Sequence, residues 1–129
     1  LQIDLNNFTG TLPTELGRMI ELYSVHLSGN GFAGTLPTEL GQLNRMVILD
    51  VSMNDLTGTL PTELSLLGNL TQFAFSHNKF TGSVNNILCT NDRQWDELLG
   101  DCLVDETGHV EIECSCCTLC CNINGSLCV

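Results

Sequence analysis

Apolar and polar residues alternate in four short stretches of the chain, at Leu1 and Ile3, Val25 and Leu27, Leu49 and Val51, and Phe73 and Phe75. Such alternation is the pattern of a half-buried strand, whose successive side chains point to opposite faces. Each stretch is followed by an Asn (Asn6, Asn30, Asn54, Asn78), then by Phe8, Phe32, Leu56 or Phe80, then by Gly10, Gly34, Gly58 or Gly82. The whole pattern recurs every 24 residues, and the hexapeptide Thr-Leu-Pro-Thr-Glu-Leu at 11–16, 35–40 and 59–64 keeps the same spacing. A fixed period of this length predicts a solenoid, because one coil cannot bury its own apolar face and must stack on its neighbours. The strands, one per coil, should then pair in parallel about 4.8 Å apart.

The remainder of each coil can be read from its punctuation. Pro13, Pro37 and Pro61 each push the preceding Leu into extended geometry, which favours a second short strand on the side of the coil. Leu16 and Met19, Leu40 and Leu43, and Leu64 and Leu67 are three apart, as on one face of a 3-10 turn. The Asn column reads as a structural ladder, its amides satisfying backbone groups that a sharp bend leaves unpaired. The fourth coil, Ser83 to Leu88, lacks the Pro and runs into Cys89. Residues 1–88 are therefore read as about four repeats, the first incomplete, and residues 89–129 as a cysteine-rich cap covering the last coil. In that cap, Trp95, Leu98 and Leu99 suggest a helical face ended by Gly100, and Val110 and Ile112 an edge strand.

The run Leu22-x-x-Val25-x-Leu27-x-x-Asn30-x-Phe32-x-Gly34-x-Leu36-Pro37 resembles the plant-type, 24-residue leucine-rich repeat. Its Thr-Gly-Thr-Leu-Pro-Thr-Glu-Leu variant resembles secreted and receptor-type repeat proteins of diatoms and related microalgae. The resemblance covers residues 1 to 88. It implies an α/β repeat fold: a leucine-rich-repeat solenoid with a parallel β-sheet on the concave face, short side strands, 3-10 turns and a disulfide-rich C-terminal cap. It also implies that the concave face binds a protein, peptide or glycan.

Composition narrows the setting. The 129 residues amount to one domain, and 15 acidic against 4 basic residues give a net charge of −11. That charge repels phosphate backbones and anionic lipid, so nucleic acid is not an expected partner. No apolar run approaches the length of a membrane span, and nothing resembles an export leader; the chain reads as a mature or trimmed piece. Its eight cysteines, Cys89, Cys102, Cys114, Cys116, Cys117, Cys120, Cys121 and Cys128, crowd into the last third. An even, dense set fits disulfides in an oxidising compartment, hence a secreted or cell-surface protein. Cys117-x-x-Cys120 has zinc-like spacing, yet a second pair at zinc-ribbon distance is missing, so no metal is expected. Eight cysteines can be joined in 105 ways. Cys89 with Cys102, flanking the expected helix, is the favoured long-range pair, and neighbours such as Cys116 and Cys117 should bond to different partners. Sequons at Asn7, Asn69 and Asn124 are glycosylation candidates of the same compartment.

Aligning the coils gives columns of outward side chains: Ser24, Ile48, Gln72; Gln2, His26, Asp50, Ala74; Asp4, Ser28, Ser52, Ser76; Leu5, Gly29, Met53, His77. With Tyr23, Val47 and Thr71 they outline the candidate binding face. His26 and Asp50 share a column with Ser28 and Ser52 one pleat away, but an open shallow sheet supplies no oxyanion hole or water-excluding pocket. No enzyme activity, catalytic residue or cofactor is therefore expected. Asp92, Asp96, Asp101 and Asp105 match no calcium loop and read as a solvated acidic surface. Threonine ranks (Thr9, Thr11, Thr35, Thr57, Thr59, Thr81, and Thr14, Thr38, Thr62) resemble ice-binding faces of some solenoid proteins, or reflect only the fit of Thr to an exposed strand. The uncovered first coil also raises self-association end to end, as in a filament or wall layer.

Overall fold

The computed structural model describes residues 1–90, 93–103, 112–121 and 129. It is a stack of coils with two parallel sheets. One sheet holds β2 (Ser24–His26), β4 (Ile48–Asp50), β6 (Gln72–Ala74), β9 (Glu97–Gly100) and β11 (Leu119–Cys120), adjacent in that order. The other holds β1 (Thr9–Thr11), β3 (Gly31–Gly34), β5 (Asp55–Gly58) and β7 (Lys79–Phe80). A third, two-stranded pairing joins β8 (Gly82–Ser83) to β10 (Ile112–Glu113). The 3-10 turns are Thr14–Arg18, Thr38–Gln42 and Thr62–Leu66, each entered from the extended Pro before it. The side strands end before the Leu-Pro pairs instead of including them, so proline closes this sheet and opens the turn.

The interior is one continuous apolar column. Val25, Leu49, Phe73 and Leu98 come into register across the first sheet and are all buried. Leu40, Leu43, Leu64 and Leu67 close it from the 3-10 side, each fully buried. Burying one such side chain is worth about 1.5–3 kcal/mol, so a central coil draws most of its stability from its two neighbours. Leu1, Phe8 and Met19, the periodic equivalents of buried Val25, Phe32 and Leu43, remain exposed at 43%, 49% and 49%.

The Asn ladder ties the coils together. Asn54 Nδ2 donates to the carbonyls of Val51 and Ser52 in its own coil and of Leu27 in the coil before, at 3.0–3.1 Å. Its Oδ1 accepts the Phe32 N–H at 3.1 Å. Asn30 and Asn78 repeat the arrangement, accepting from Phe8 and Leu56 and donating back to Ile3 and Val51. The residue before each Asn takes a left-handed backbone: φ is 53° at Leu5, 69° at Gly29, 55° at Met53 and 57° at His77. Only one of the four is the glycine such a φ favours. Gly17 and Gly41 serve a different need, close approach, since a Cβ there would fall 2.4 and 2.6 Å from the carbonyl oxygens of Glu39 and Glu63 in the following coil.

The cap differs from its sequence reading in several ways. Residues 97–100 form a strand, not a helix. Leu98 meets Phe73 in register and continues the sheet into a fifth coil, an energetic gain that a short isolated helix could not match. Gly100 does not stop a helix: it makes room for the Phe75 ring, which a Cβ would meet at 2.5 Å. Asp101 is not part of a solvated acidic surface. It is buried at 3% exposure and accepts the N–H groups of His77 (2.9 Å) and Asn78 (3.2 Å), covering backbone that the next repeat would otherwise satisfy. The bridges are Cys89–Cys116, Cys102–Cys120 and Cys114–Cys117, and the favoured Cys89–Cys102 pair does not form. With the helix gone, Cys102 follows β9 and meets Cys120 on β11, the strand paired to it. Cys116 and Cys117 bond to different partners, and Cys121 is also disulfide-bonded. Ile112 is buried in β10, whereas Val110, Asp92, Asp105, Asn124 and Cys128 lie outside the described residues.

Candidate binding face

The outward positions of the first sheet come from alternate residues on five strands. Ser24, Ile48, Gln72 and Glu97 form one column, and His26, Asp50, Ala74, Leu99 and Leu119 the next, with Gln2 bridging to His26. Glu97 and Leu99 were missed by sequence reasoning because the helical reading of 95–99 removed them from the sheet, and Leu119 because it lies within the cysteine run, which was read for its bridges and not for a strand. An Asp96-Glu-Leu-Leu-Gly100 stretch followed by Asp101 and Cys102 gave only the apolar pair, without the 24-residue marker, as a signal. A shallow open depression of about 110 Å³ lies among His26, Ile48, Asp50, Gln72, Ala74 and Glu97.

Local bonds order these side chains. Ser24 Oγ and His26 Nε2 are 2.6 Å apart. Asp50 Oδ1 accepts from the Ser52 N–H (3.0 Å) and hydroxyl (2.6 Å), and Ser52 Oγ reaches Ser28 Oγ at 3.2 Å. Among the described residues no hydrogen bond links His26 to Asp50, so serine, histidine and aspartate do not form a proton-transfer chain. The column alignment puts Ser52 and Ser76 on the outward face, but they are buried at 7% and 0%. They lie where the chain bends into the left-handed residue, and Ser76 Oγ is held 3.1 Å from His77 Nδ1. Tyr23 and Met53, at 60% and 54% exposure, stand at the two margins of the face; Val47 and His77 are half-buried there.

The other surfaces contribute less chemistry. The methyl groups of Thr11, Thr35 and Thr59 lie 3.0–3.3 Å from where a Cβ would stand on Gly34, Gly58 and Gly82 of the next coil. The Thr-Gly-Thr ranks thus have a packing role between coils. Arg93 lies over the Trp95 ring at 4.5 Å and donates to the carbonyls of Leu67 and Leu70, closing the last 3-10 turn. Burial lowers its pKa. Cys89, Cys114 and Cys116 bring their sulfurs within 4.8 Å of one another, but all three are oxidised in bridges and offer no thiolate to a metal. Asn7 and Asn69 are exposed; Asn69 Nδ2 donates to Asn44 O at 2.7 Å.

Stacked parallel strands, an internal Asn ladder and 3-10 turns on the opposite side decide the architecture. The fold is a leucine-rich-repeat solenoid. The Leucine Rich Repeat family pattern matches residues 21–43 and 45–67. Among solved structures, the solenoid is similar to the BIR2 ectodomain from Arabidopsis thaliana (TM-score 0.67, 29% identity, 71% of this chain and 48% of that one). It is similar as well to the ectodomain of the Arabidopsis thaliana membrane receptor kinase GASSHO1/SCHENGEN3 in complex with Casparian strip integrity factor 2 (TM-score 0.68, 30% identity, 78% and 12%). A leucine-rich-repeat protein of Leptospira interrogans matches at TM-score 0.67, 32% identity, 78% and 24%. The chain spans about half the length of the BIR2 ectodomain and less of the other two. No curated protein sequence matches it. Among the described residues no helix is long and apolar enough to cross a membrane.

Proposed function

We propose that this solenoid is a secreted or cell-surface interaction domain of the plant-type, 24-residue class, related to the diatom and microalgal variants, that binds a protein partner through its concave sheet. Residues 1–88 serve as the repeats and 89–129 as the cap in this reading. The observation that carries it is the five-strand outward face, on which two registered columns of mixed chemistry surround an open depression. Similar ectodomains support the protein or peptide class of partner: the GASSHO1/SCHENGEN3 ectodomain is seen in complex with Casparian strip integrity factor 2, and RGFR1, a plant peptide hormone receptor, with RGF2. The all-oxidised cysteines among the described residues support an extracellular setting, with Asn7 and Asn69 exposed and available to glycans. The face has a binding role in this reading and no catalytic one. Combined substitution of Tyr23→Ala, His26→Ala, Asp50→Ala and Met53→Ala should abolish capture of the partner from native extracellular extract, with the fold retained by circular dichroism; undiminished capture would refute the assignment.

A second reading, end-to-end assembly, is favoured by one observation: Leu1, Phe8 and Met19 expose the columns that the rest of the stack buries. Sedimentation and negative-stain imaging across a dilution series test it. A monomer at every concentration removes it. In the leading reading the threonine ranks pack coils; an ice-recrystallisation assay on the chain and on Thr35→Lys/Thr59→Lys tests the ice-binding alternative directly.

A further inference from the structure

We infer that the concave sheet takes an extended segment carrying a cation at one position and an aliphatic side chain four residues away. This rests on the concave-face reading above and names the chemistry of its partner. The cap makes the face two-part. The depression is lined by Asp50 and, from the neighbouring column, by Glu97; further along the Asp50 column come Ala74, Leu99 and Leu119, the last 40% exposed.

Charge complementarity fixes the first group. All four basic residues of the chain are committed elsewhere or point away from this sheet: Arg45 pairs with Glu21, Lys79 with Asp55 at 2.6 Å, Arg93 with the Leu67 and Leu70 carbonyls, and Arg18 ends the first 3-10 turn. His26 is the nearest titratable base, and its Nε2 is engaged by Ser24. Asp50 engages Ser52 through Oδ1 alone, and Glu97 is bonded through its backbone N–H to the Thr71 carbonyl. A depression of about 110 Å³ between two carboxylates accommodates the end of one Arg or Lys side chain, not a small-molecule cofactor.

Spacing fixes the second group. Asp50 and Leu119 are three strands apart, roughly 14 Å at about 4.8 Å per strand, and an extended chain covers roughly 13 Å in four residues at about 3.3 Å each. A cation at position i over Asp50, at the rim of the depression that Glu97 also lines, therefore brings the side chain at i+4, or i−4 in the opposite direction, over Leu119. The intervening same-face residue passes over Ala74, where a small partner fits.

The test is an NMR titration of the 15N-labelled chain with three probes: acetyl-Arg-Gly-Ala-Gly-Leu-amide, its Glu-for-Arg analogue and its Glu-for-Leu analogue. The first should bind at least about fivefold more tightly than either analogue, with shifts centred on Ala74, Leu99 and Leu119. Asp50→Asn with Glu97→Gln, which keep the local acceptors, should erase the Arg preference, and Leu119→Asp the Leu preference. Equal affinities for the three probes, absence of binding by the first, or shifts centred elsewhere would overturn the inference. If it fails while the fourfold concave variant still loses its extract partner, the face stands and only this chemistry falls. If the fourfold variant also keeps its partner, both fall together.

Discussion

Replacing Asn54 by Leu separates the ladder's contribution from that of simple burial. The amide makes four hydrogen bonds, all within 3.0–3.1 Å. Not all four losses are equal. The Leu27 carbonyl keeps a donor in Asn30 Nδ2, the Val51 carbonyl in Asn78 Nδ2, and the Ser52 carbonyl in the Gly29 N–H. The Phe32 N–H alone is stranded. An orphaned buried donor costs about 1–3 kcal/mol, and each weakened carbonyl pairing adds about 0.5 kcal/mol, so Asn54→Leu should lose about 3–4 kcal/mol in spite of its greater apolarity. Asn6 holds the same sequence position, but it is exposed and donates only to Ile3 and Asp4. Water replaces those bonds, and Asn6→Leu should cost under about 1 kcal/mol. Guanidinium unfolding followed by far-ultraviolet circular dichroism gives both numbers, and hydrogen exchange at Phe32 should accelerate only in Asn54→Leu. Equal losses at the two positions would show that the ladder carries no inter-coil stability and would refute the reasoning.

Gly41→Ala places a Cβ 2.6 Å from the Glu63 carbonyl and should destabilise by about 1–3 kcal/mol in thermal unfolding, whereas Ser65→Ala, at the corresponding exposed position, should be silent. Cys89→Ser/Cys116→Ser opens a loop of 27 residues and Cys114→Ser/Cys117→Ser one of 3, so chain entropy predicts losses of about 3.5 and about 1.5 kcal/mol respectively. Chemical denaturation of the two double variants ranks them, and the reverse order would contradict the staple role of Cys89–Cys116. Burial raises the Asp101 pKa against the opposing pull of the His77 and Asn78 N–H groups and the His77 charge. Its contribution is therefore fully present below the ordinary carboxylate range and declines as pH rises through the raised value; unfolding free energies of the chain and of Asp101→Asn should diverge in that direction just above the ordinary range, and parallel profiles would count against it.

The repeats were legible because each of their physical requirements recurs three or four times at one spacing. A single Asn54 reads as a turn residue; four in one column read as an internal ladder. The cap has no such redundancy. Trp95, Leu98 and Leu99 fit a helical face as well as a strand, and only contact with Phe73 and Phe75 resolves the choice in favour of the sheet. That one error displaced Glu97 and Leu99 from the face and led to pairing Cys89 with Cys102. Ser76 was misplaced for a different reason: the left-handed φ at His77 turns the chain inward, and a histidine gives no notice of it as a glycine would.

Because each ladder amide grips the coil 22 or 27 residues behind it, the molecule is fastened as a series of rungs with a cross-linked terminus. A tether drawn from Leu1 should peel it one rung at a time, each release lengthening the tether by roughly 80 Å, the contour of 24 residues at about 3.4 Å each. The peeling should halt at Cys89, where covalent sulfur takes up the load.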